Sequence, residues 1–288
     1  MSTLRNPFAP FDPALAQAFE ASIAAALTED IGSGDWTAML VPEAAMVEAS
    51  VIVREEAVLC GAPWFEAVMK QLDARITIAW CFAEGALMPA DATVCLLHAP
   101  ARALLSAERS ALNFLQLLSG VATATRFYVS LVEGTRAAIL DTRKTLPGLR
   151  LAQKYAVRVG GGQNQRLALY DGILIKENHI AAAGGVAAAL QAAQALHAGV
   201  SIQIEVENLD ELNVALAAGA QSVLLDNFDL AMMREAVKLT AGRALLEASG
   251  GINRDSVRAI AETGVDRISI GSLTKDVRAT DYSLRVLG

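Results

Sequence analysis

The sequence predicts a mixed fold, α+β in its N-terminal part and α/β in its C-terminal part. Short runs of β-branched residues with turn residues between them occupy the first hundred positions. After Gly134, apolar runs of strand length alternate with amphipathic helical segments, which is typical of a parallel sheet. We therefore expect two domains, 1–115 and 116–274, with the tail 275–288 packing back on the first.

The N-terminal domain is expected to be an α+β layer. A helical pattern at 13–27 ends in a turn formed by Gly32 and Gly34. A second, longer helical stretch at 107–132 follows the strands, and we place the domain boundary near its start. The predicted strands lie at 49–53, 57–59, 75–81 and 92–98, with a helix at 63–72.

The C-terminal domain is expected to contain a parallel sheet covered on both faces, because its strands are apolar throughout. Asn208 and Asn253 precede acidic first turns, and Gly219 and Gly264 end the same segments. These are helix-capping patterns, so one helix is expected to start near Asn253. Six such units can close into a barrel, although a doubly wound open sheet also fits. The predicted strands are 137–140, 172–175, 201–207, 222–225, 244–249 and 267–270.

Composition argues against several classes of protein. The net charge is −7 and aromatic residues make up 5%, whereas nucleic-acid binding depends on many basic contacts and stacking platforms. Neither a signal peptide nor a membrane span is recognisable. The three cysteines, Cys60, Cys81 and Cys95, have no metal-ligand spacing. An odd number of buried thiols is typical of a reduced, cytoplasmic protein.

The segment from Asp141 to His179 is a basic island in this acidic chain. It holds seven Lys or Arg residues against three acids, a local balance of +4. Such a concentration of charge indicates a focused site for a small polyanion. The seven basic residues are Arg143, Lys144, Arg150, Lys154, Arg158, Arg166 and Lys176.

Polar residues also follow the predicted barrel strands, at the point where each strand ends. In α/β barrels the chemistry lies at the C-terminal strand ends, so these residues are expected to share one rim. An open sheet would instead spread them out. The strand-end residues are Asp141, Arg143, Lys144, Lys176, Glu205, Glu207, Asp226, Glu247, Ser249 and Gly271.

The cations at this rim suit a substrate with two carboxylates. Arg presents a planar fork that binds a carboxylate at two points. Arg143, Arg166 and Lys176 lie at or near strand ends, and Arg109 lies on the long helix before the barrel. In contrast, Arg150 and Arg158 fall on a helix with an apolar opposite face, which is typical of solvated charges.

The acids and glycines suit a phosphorylated sugar. Glu205 and Asp226 end successive strands, and paired carboxylates hold hydroxyls or a divalent cation. Glu207 shares a strand face with Glu205 by the period of two, so either or both acids could reach the site. Alternatively, Glu207 is a helix-entry acid beside Asn208. Two glycine-containing loops in the last two units, at 249–251 and 270–272, leave backbone N–H groups accessible to phosphate.

Longer motifs occur in a characteristic order: EDIGSGDWT, ERSALNFLQLLSG, DTRKTLPGLR, GGGQNQRLALYDGILIKENHI, IEVEN, LLDNF and EASGGI. Together they resemble the bacterial quinolinate phosphoribosyltransferase family over nearly the whole chain. The resemblance implies an N-terminal α+β open sandwich followed by an irregular parallel α/β barrel of six or seven strands. It also implies homodimers or larger assemblies with shared active sites, in which Arg109 reaches the neighbouring subunit's site.

The resemblance implies roles for individual residues. Arg143, Arg166 and Lys176 would hold the two carboxylates of quinolinate. Lys144, Glu205 and Asp226 would act on phosphoribosyl pyrophosphate, and the two acids would also bind Mg²⁺. The remaining implied substrate-binding residues are Arg109, Gln165, Ser249, Gly250, Gly251 and Gly271.

One position departs from the family pattern, because many members carry His where this chain has Gln165. Glutamine can donate a hydrogen bond to a carboxylate but cannot carry a proton charge. Either the position serves as a hydrogen-bonding ligand, which we favour, or the enzyme is impaired.

The implied reaction converts quinolinate and phosphoribosyl pyrophosphate into nicotinate mononucleotide, pyrophosphate and CO₂. Two alternatives stay open at the level of sequence. One is a related transferase acting on another acid, such as nicotinate or a molybdenum-associated substrate. The other is a non-catalytic barrel that senses a carboxylate metabolite.

Overall fold

The structure, a computed structural model, describes residues 3–287. The chain forms two compact units. Unit 1 consists of residues up to Arg126 together with Thr145–Gly161 and the segment from Thr274 onward, and unit 2 consists of Phe127–Lys144 and Gly162–Leu273. This division differs from the expected ranges 1–115 and 116–274, because an internal segment of the second range belongs to unit 1.

The elements are numbered in chain order. The helices of the described residues are α1 (Pro13–Ile31), α2 (Ala62–Leu72), α3 (Ala101–Leu131), α4 (Arg150–Val159), α5 (Glu177–Ala183), α6 (Val186–Ala195), α7 (Leu209–Ala217), α8 (Leu230–Thr240), α9 (Val257–Ala261) and α10 (Ser272–Lys275). The strands are β1 (Met46–Val53), β2 (Ala57–Val58), β3 (Thr77–Trp80), β4 (Leu87–Met88), β5 (Thr93–Pro100), β6 (Ala138–Leu140), β7 (Gly172–Ile175), β8 (Ser201–Val206), β9 (Ser222–Asp226), β10 (Leu245–Ser249), β11 (Arg267–Ser269) and β12 (Tyr282–Leu287). None of these helices is both long enough and apolar enough to cross a membrane.

Unit 1 is built on a four-stranded antiparallel sheet with the order β12-β1-β5-β3. The C-terminal strand β12 pairs with β1 from Glu48↔Leu287 to Val53↔Tyr282. The tail therefore lies in unit 1. The short pair β2 and β4 and helix α2 contribute the fully buried Trp64, Phe65 and Met88 to its core.

Helix α4 belongs to unit 1 because its Tyr155 is part of that unit's core. The Tyr155 ring lies 5.3 Å from the Trp64 ring, centroid to centroid, and its hydroxyl donates to Glu84 Oε1 at 2.9 Å. Glu84 also accepts from the backbone N–H groups of Gly61 and Ala62 at the start of α2. Burial raises the pKa of Glu84 to about 7, and these hydrogen bonds oppose the rise.

Unit 2 contains a six-stranded parallel sheet with the order β6-β11-β10-β9-β8-β7. From β7 to β11 the strands follow one another without reversal, so the sheet has no switch point of the doubly wound kind. Gln163, which precedes β7 in the chain, bridges Leu140 of β6 at the opposite edge. The segment after Gln163 thus connects the two edges, as the predicted irregular barrel requires.

Local capping explains where the helices of unit 2 begin. The Asn208 side chain accepts from the Glu211 N–H at 2.9 Å, and α7 starts at the next residue, as predicted. Asn253 behaves differently, because its side chain accepts from the N–H groups of Asp255 and Ser256 and closes a turn. The Asn253 carbonyl also accepts from the Val257 N–H at 3.1 Å, so the helical turn opens at Asn253 and the regular helix α9 runs from Val257.

Candidate active site

The carboxyl ends of the parallel strands bring most of the predicted polar residues of unit 2 to one edge. Ser249 pairs in register with Asp226 at the ends of β10 and β9. Glu205 lies one residue before the end of the neighbouring strand β8. Since these strands are parallel and adjacent, their terminal side chains share one rim of the sheet.

Glu205 is the buried acid of this rim, with 7% of its surface exposed. Its Oε2 accepts from Lys176 Nζ at 3.2 Å. Burial raises the pKa of Glu205, Lys176 opposes the rise, and the charges of Asp226 and Glu177 add to it. The negative charge of Asp226 thus acts on Glu205, and the positive charge of Lys176 partly offsets this repulsion.

Glu207 is not equivalent to Glu205. Strand β8 ends at Val206, so Glu207 lies beyond the strand and is exposed. Its backbone N–H donates to Glu211 Oε2 at 2.9 Å, which places the residue in the entry to α7. Of the two interpretations that the sequence left open for Glu207, this contact favours the helix-entry acid beside Asn208.

Arg143 and Arg166 form a pair of neighbouring cations. Burial lowers the pKa of Arg166, and the positive charge of Arg143 lowers it further. Arg166 Nη1 donates to the carbonyl oxygen of Gly172 at 3.0 Å, which fixes the guanidinium beside β7. The charge of Arg143 therefore acts on Arg166, and two like charges that act on each other favour an anion beside them.

The loops after β6, β9, β10 and β11 carry the remaining predicted residues. Lys144 lies against Gly271, where a Cβ atom would come within 3.0 Å of the lysine Cδ. Gly250 has φ +103°, and a Cβ there would lie 2.2 Å from Asn227 Oδ1. Asn227 in turn donates to Asp226 Oδ2 at 2.9 Å. Glycine is thus required at 250 for both conformation and space.

Gln165 is held from several directions. Its backbone N–H donates to the buried Asp141, its Nε2 donates to Gln203 Oε1 at 2.6 Å, and its Oε1 accepts from the Arg166 N–H at 2.5 Å. Gln203 Nε2 donates to Glu247 Oε2 at 2.9 Å. Burial raises the pKa of Glu247, and the bond from Gln203 opposes the rise.

Sequence reasoning did not single out Gln203 or Asn227 as site residues. Gln203 precedes Glu205 by two positions on β8, so strand periodicity could have placed it on the same face. His179, at the end of the basic segment, accepts through Nδ1 from the Lys176 N–H at 3.0 Å and caps α5. Arg109 lies on α3 in unit 1 and is exposed.

Comparison with known proteins identifies the family. Residues 35–119 match the model of the quinolinate phosphoribosyl transferase N-terminal domain, and residues 121–285 match that of the C-terminal domain. The chain belongs to the quinolinate phosphoribosyltransferase family. The sequence-based fold class, an N-terminal α+β part followed by a parallel α/β part, is confirmed.

Individual members of the quinolinate phosphoribosyltransferase family resemble the chain over most of its length. The probable nicotinate-nucleotide pyrophosphorylase [carboxylating] of Bacillus subtilis is 42% identical over 259 residues, covering 90% of each chain. The corresponding Mycobacterium leprae protein is 40% identical over 270 residues, covering 91% of this chain and 95% of its own. The solved nicotinate-nucleotide pyrophosphorylase of Francisella tularensis is 45% identical, with a TM-score of 0.92 over 99% of this chain and 100% of its own.

Proposed function

We propose that this protein transfers the phosphoribosyl group of phosphoribosyl pyrophosphate to quinolinate, with decarboxylation, and so produces nicotinate mononucleotide for NAD biosynthesis. The observation that carries the proposal is the strand-end rim of unit 2, where Lys176 contacts the buried Glu205 and the adjacent strands end at Asp226 and Ser249; the same unit holds Arg143 and Arg166. Relatives named as carboxylating pyrophosphorylases cover nearly the full length of the chain. The reaction class is that of a pentosyltransferase.

The cations bind and orient the pyridine dicarboxylate. Arg143 and Arg166 hold the carboxylates, and Lys176 joins them when the substrate competes with Glu205 for its ammonium group. Gln165, next to Arg166, has an uncharged amide that can donate a hydrogen bond to a carboxylate. Fixing both carboxylates directs the ring nitrogen at the anomeric carbon, which converts a bimolecular encounter into an oriented attack.

The acids act on the sugar. As the bond to pyrophosphate breaks, positive charge develops on the ribose, and the preorganised carboxylates of Glu205 and Asp226 stabilise it. Lys144 neutralises the departing pyrophosphate. Ser249, Gly250, Gly251 and Gly271 offer hydroxyl and backbone N–H groups to the phosphates.

Decarboxylation follows from the first step. Once the ring nitrogen carries the ribose, it is positively charged and stabilises an electron pair on the adjacent carbon. The bond to the 2-carboxylate therefore breaks with its electrons left on the ring, CO₂ departs, and a proton replaces it. The arginines that bound the 2-carboxylate do not retain CO₂, because CO₂ is neutral.

The residues present fit a Mg²⁺ ion that arrives with the substrate. In residues 3–287 no group of three or more His, Cys, Asp or Glu side chains is arranged to hold a metal ion. Mg²⁺ usually binds through one or two carboxylates together with substrate phosphates, and Glu205 and Asp226 provide these two carboxylates. When bound, the ion supplies positive charge beside the pyrophosphate leaving group.

The defining experiment mixes purified protein with quinolinate, phosphoribosyl pyrophosphate and Mg²⁺ and measures nicotinate mononucleotide and CO₂. Formation of both in equal amounts is expected. A parallel assay with nicotinate distinguishes the related transferase from the proposed enzyme, since one carboxylate leaves a cation unpaired. Calorimetric binding of quinolinate with no turnover at any pH would instead identify a sensor and refute the proposal.

We also propose that the protein works in the cytoplasm as a homodimer or larger assembly with shared active sites. Unit 1 exposes Trp36 and Leu40 by more than 80%, and unit 2 exposes Leu169 and Tyr170 by more than 70%. Large apolar side chains exposed in groups indicate surfaces that a partner covers. The three cysteines are free, which fits a reducing compartment.

A further inference from the structure

A chain of three side chains runs from the interior of unit 2 to the arginine pair. It starts at Glu247 on β10, passes through Gln203 on β8 and ends at Gln165, next to Arg166. Glu247 is 1% exposed and Gln203 is 6% exposed. The two links measure 2.9 Å and 2.6 Å between nitrogen and oxygen. We call Glu247, Gln203 and Gln165 the amide relay.

The carboxyl group at the inner end gives the amide relay its direction. Glu247 Oε2 accepts, so Gln203 turns its Nε2 inward and its Oε1 outward. Gln165 must then turn its Nε2 toward Gln203, which leaves its Oε1 for the N–H of Arg166. An amide on its own has no preferred sense, and only the network around it selects one.

The orientation of Gln165 matters because its Oε1 binds the backbone of a substrate-binding arginine. Asp141 Oδ1 accepts from the Gln165 N–H at 3.0 Å, and Gly172 holds the Arg166 guanidinium. We propose that Gln203 and Glu247 are positioning residues which, through Gln165, set the geometry of Arg166 toward quinolinate. The proposal rests on the proposed function and adds two buried residues to the machinery for the dicarboxylate.

A merely structural role for these buried groups is the alternative, and exchanging their chemistry tests it. In Gln203→Glu two carboxyl groups face each other, the donor to Glu247 is lost, and the repulsion displaces the oxygen that accepts from Gln165 Nε2. In the double variant Gln203→Glu/Glu247→Gln the new amide donates to the new carboxylate, which again accepts from Gln165 Nε2. The double variant keeps the composition and net charge of the native pair, so it restores the direction of the relay.

The experiment measures KM for each substrate, kcat and the melting temperature of four proteins: native, Gln203→Glu, the double variant, and Gln221→Glu. The last adds the same charge at an exposed position of unit 2. We expect Gln203→Glu to raise KM for quinolinate on the order of tenfold and KM for phosphoribosyl pyrophosphate less than about threefold. The double variant should recover most of the loss, and Gln221→Glu should behave as the native protein.

Two outcomes would overturn the relay: unchanged KM values in Gln203→Glu, or equal rises for both substrates that follow the melting temperature. Recovery of the melting temperature without recovery of KM in the double variant would do the same. A native protein that forms no nicotinate mononucleotide would refute the proposed function instead. Calorimetric titration of the same four proteins with quinolinate then tests the relay independently of turnover.

Discussion

Glu205 shows how the surroundings of a single residue determine its chemistry. It is almost fully buried, it accepts from Lys176, and it faces the charges of Asp226 and Glu177. Burial and the two like charges outweigh the lysine, so the pKa of Glu205 lies above its ordinary value. A nearby positive charge stabilises a carboxylate in this state, and in the proposed reaction the cation that develops on the ribose would supply that charge.

The first prediction separates Glu205 from Glu207. Glu205→Gln should lower kcat on the order of a hundredfold or more, because the stabilising charge is lost from the rim. Glu207→Gln should stay within about threefold of the native rate, since Glu207 is exposed and lies beyond the end of β8. Steady-state kinetics of the two variants at saturating substrates measure this difference.

The same residue sets the expected pH dependence. Activity requires the ionised form, so kcat/KM should fall as the pH drops through the raised pKa of Glu205, above the ordinary carboxyl value of 4.5. Removing the like charge of Glu177 in Glu177→Gln should move this acid limb to lower pH. A limb at the ordinary carboxyl value in the native enzyme, or a large loss in Glu207→Gln, would point to Glu207 as the main acid.

At this scale, sequence patterns predicted where polar side chains lie but not what they contact. Placing Glu205 and Asp226 at strand ends needed only the alternation of strands and helices. The hydrogen bond from Gln203 to Glu247 joins residues 44 positions apart, and the bond from Gln165 to Gln203 joins residues 38 apart. Partners brought together by the closing of a sheet leave no periodic signal in the sequence.

Among the elements, the loop between β10 and α9 is the one whose backbone is most specialised. Gly250 and Gly251 both have positive φ, at +103° and +58°. Their surroundings differ. A Cβ atom added at position 250 would clash with Asn227, whereas one added at position 251 would have no atom within 4 Å. Asn227 lies in the neighbouring loop after β9, has φ +55° and donates to Asp226. A side chain at position 250 that displaced Asn227 would therefore also disturb Asp226.

The second prediction uses this pair of glycines as test and control. Gly250→Ala should displace Asn227 and with it Asp226, lowering kcat/KM for phosphoribosyl pyrophosphate on the order of a hundredfold. Gly251→Ala adds only the backbone strain of a left-handed residue, about 1–2 kcal/mol, without a clash. Kinetics and thermal melts of both variants check this. Equal losses of activity in the two variants would show that backbone strain, not contact with Asn227, is responsible.

Sequence patterns predicted the bounds of several elements but not the unit in which each of them packs. The strand at 172–175 was predicted with the bounds that the structure gives, and the strand starting at 201 differs by one residue at its end. Helix α4 was expected within the second domain, yet it packs in unit 1. Its placement depends on contacts of Tyr155 with Glu84 and Trp64, which are 71 and 91 positions away in the chain. Periodicity identifies the buried face of a helix but not the core that buries it.

At the scale of the whole molecule, two exposed features bear on the proposed assembly. Arg109 is an exposed cation on α3 of unit 1, whereas the proposed dicarboxylate site lies in unit 2. Each unit also exposes apolar side chains, among them Trp36 and Tyr170. An assembly in which unit 1 of one subunit covers unit 2 of another would use both features. In that arrangement every active site draws residues from two chains.

The last prediction tests this sharing directly. Arg109→Ala and Lys176→Ala should each be nearly inactive, because each removes a cation that holds the substrate. If Arg109 acts on the neighbouring subunit's site, a heterodimer of the two variants contains one site with both residues intact. Random mixing makes about half of the dimers heterodimers, with one working site in two, so about a quarter of native activity should return. Native mass spectrometry confirms that mixed dimers have formed, and mixed dimers without recovered activity would place Arg109 in its own subunit's site or outside any site.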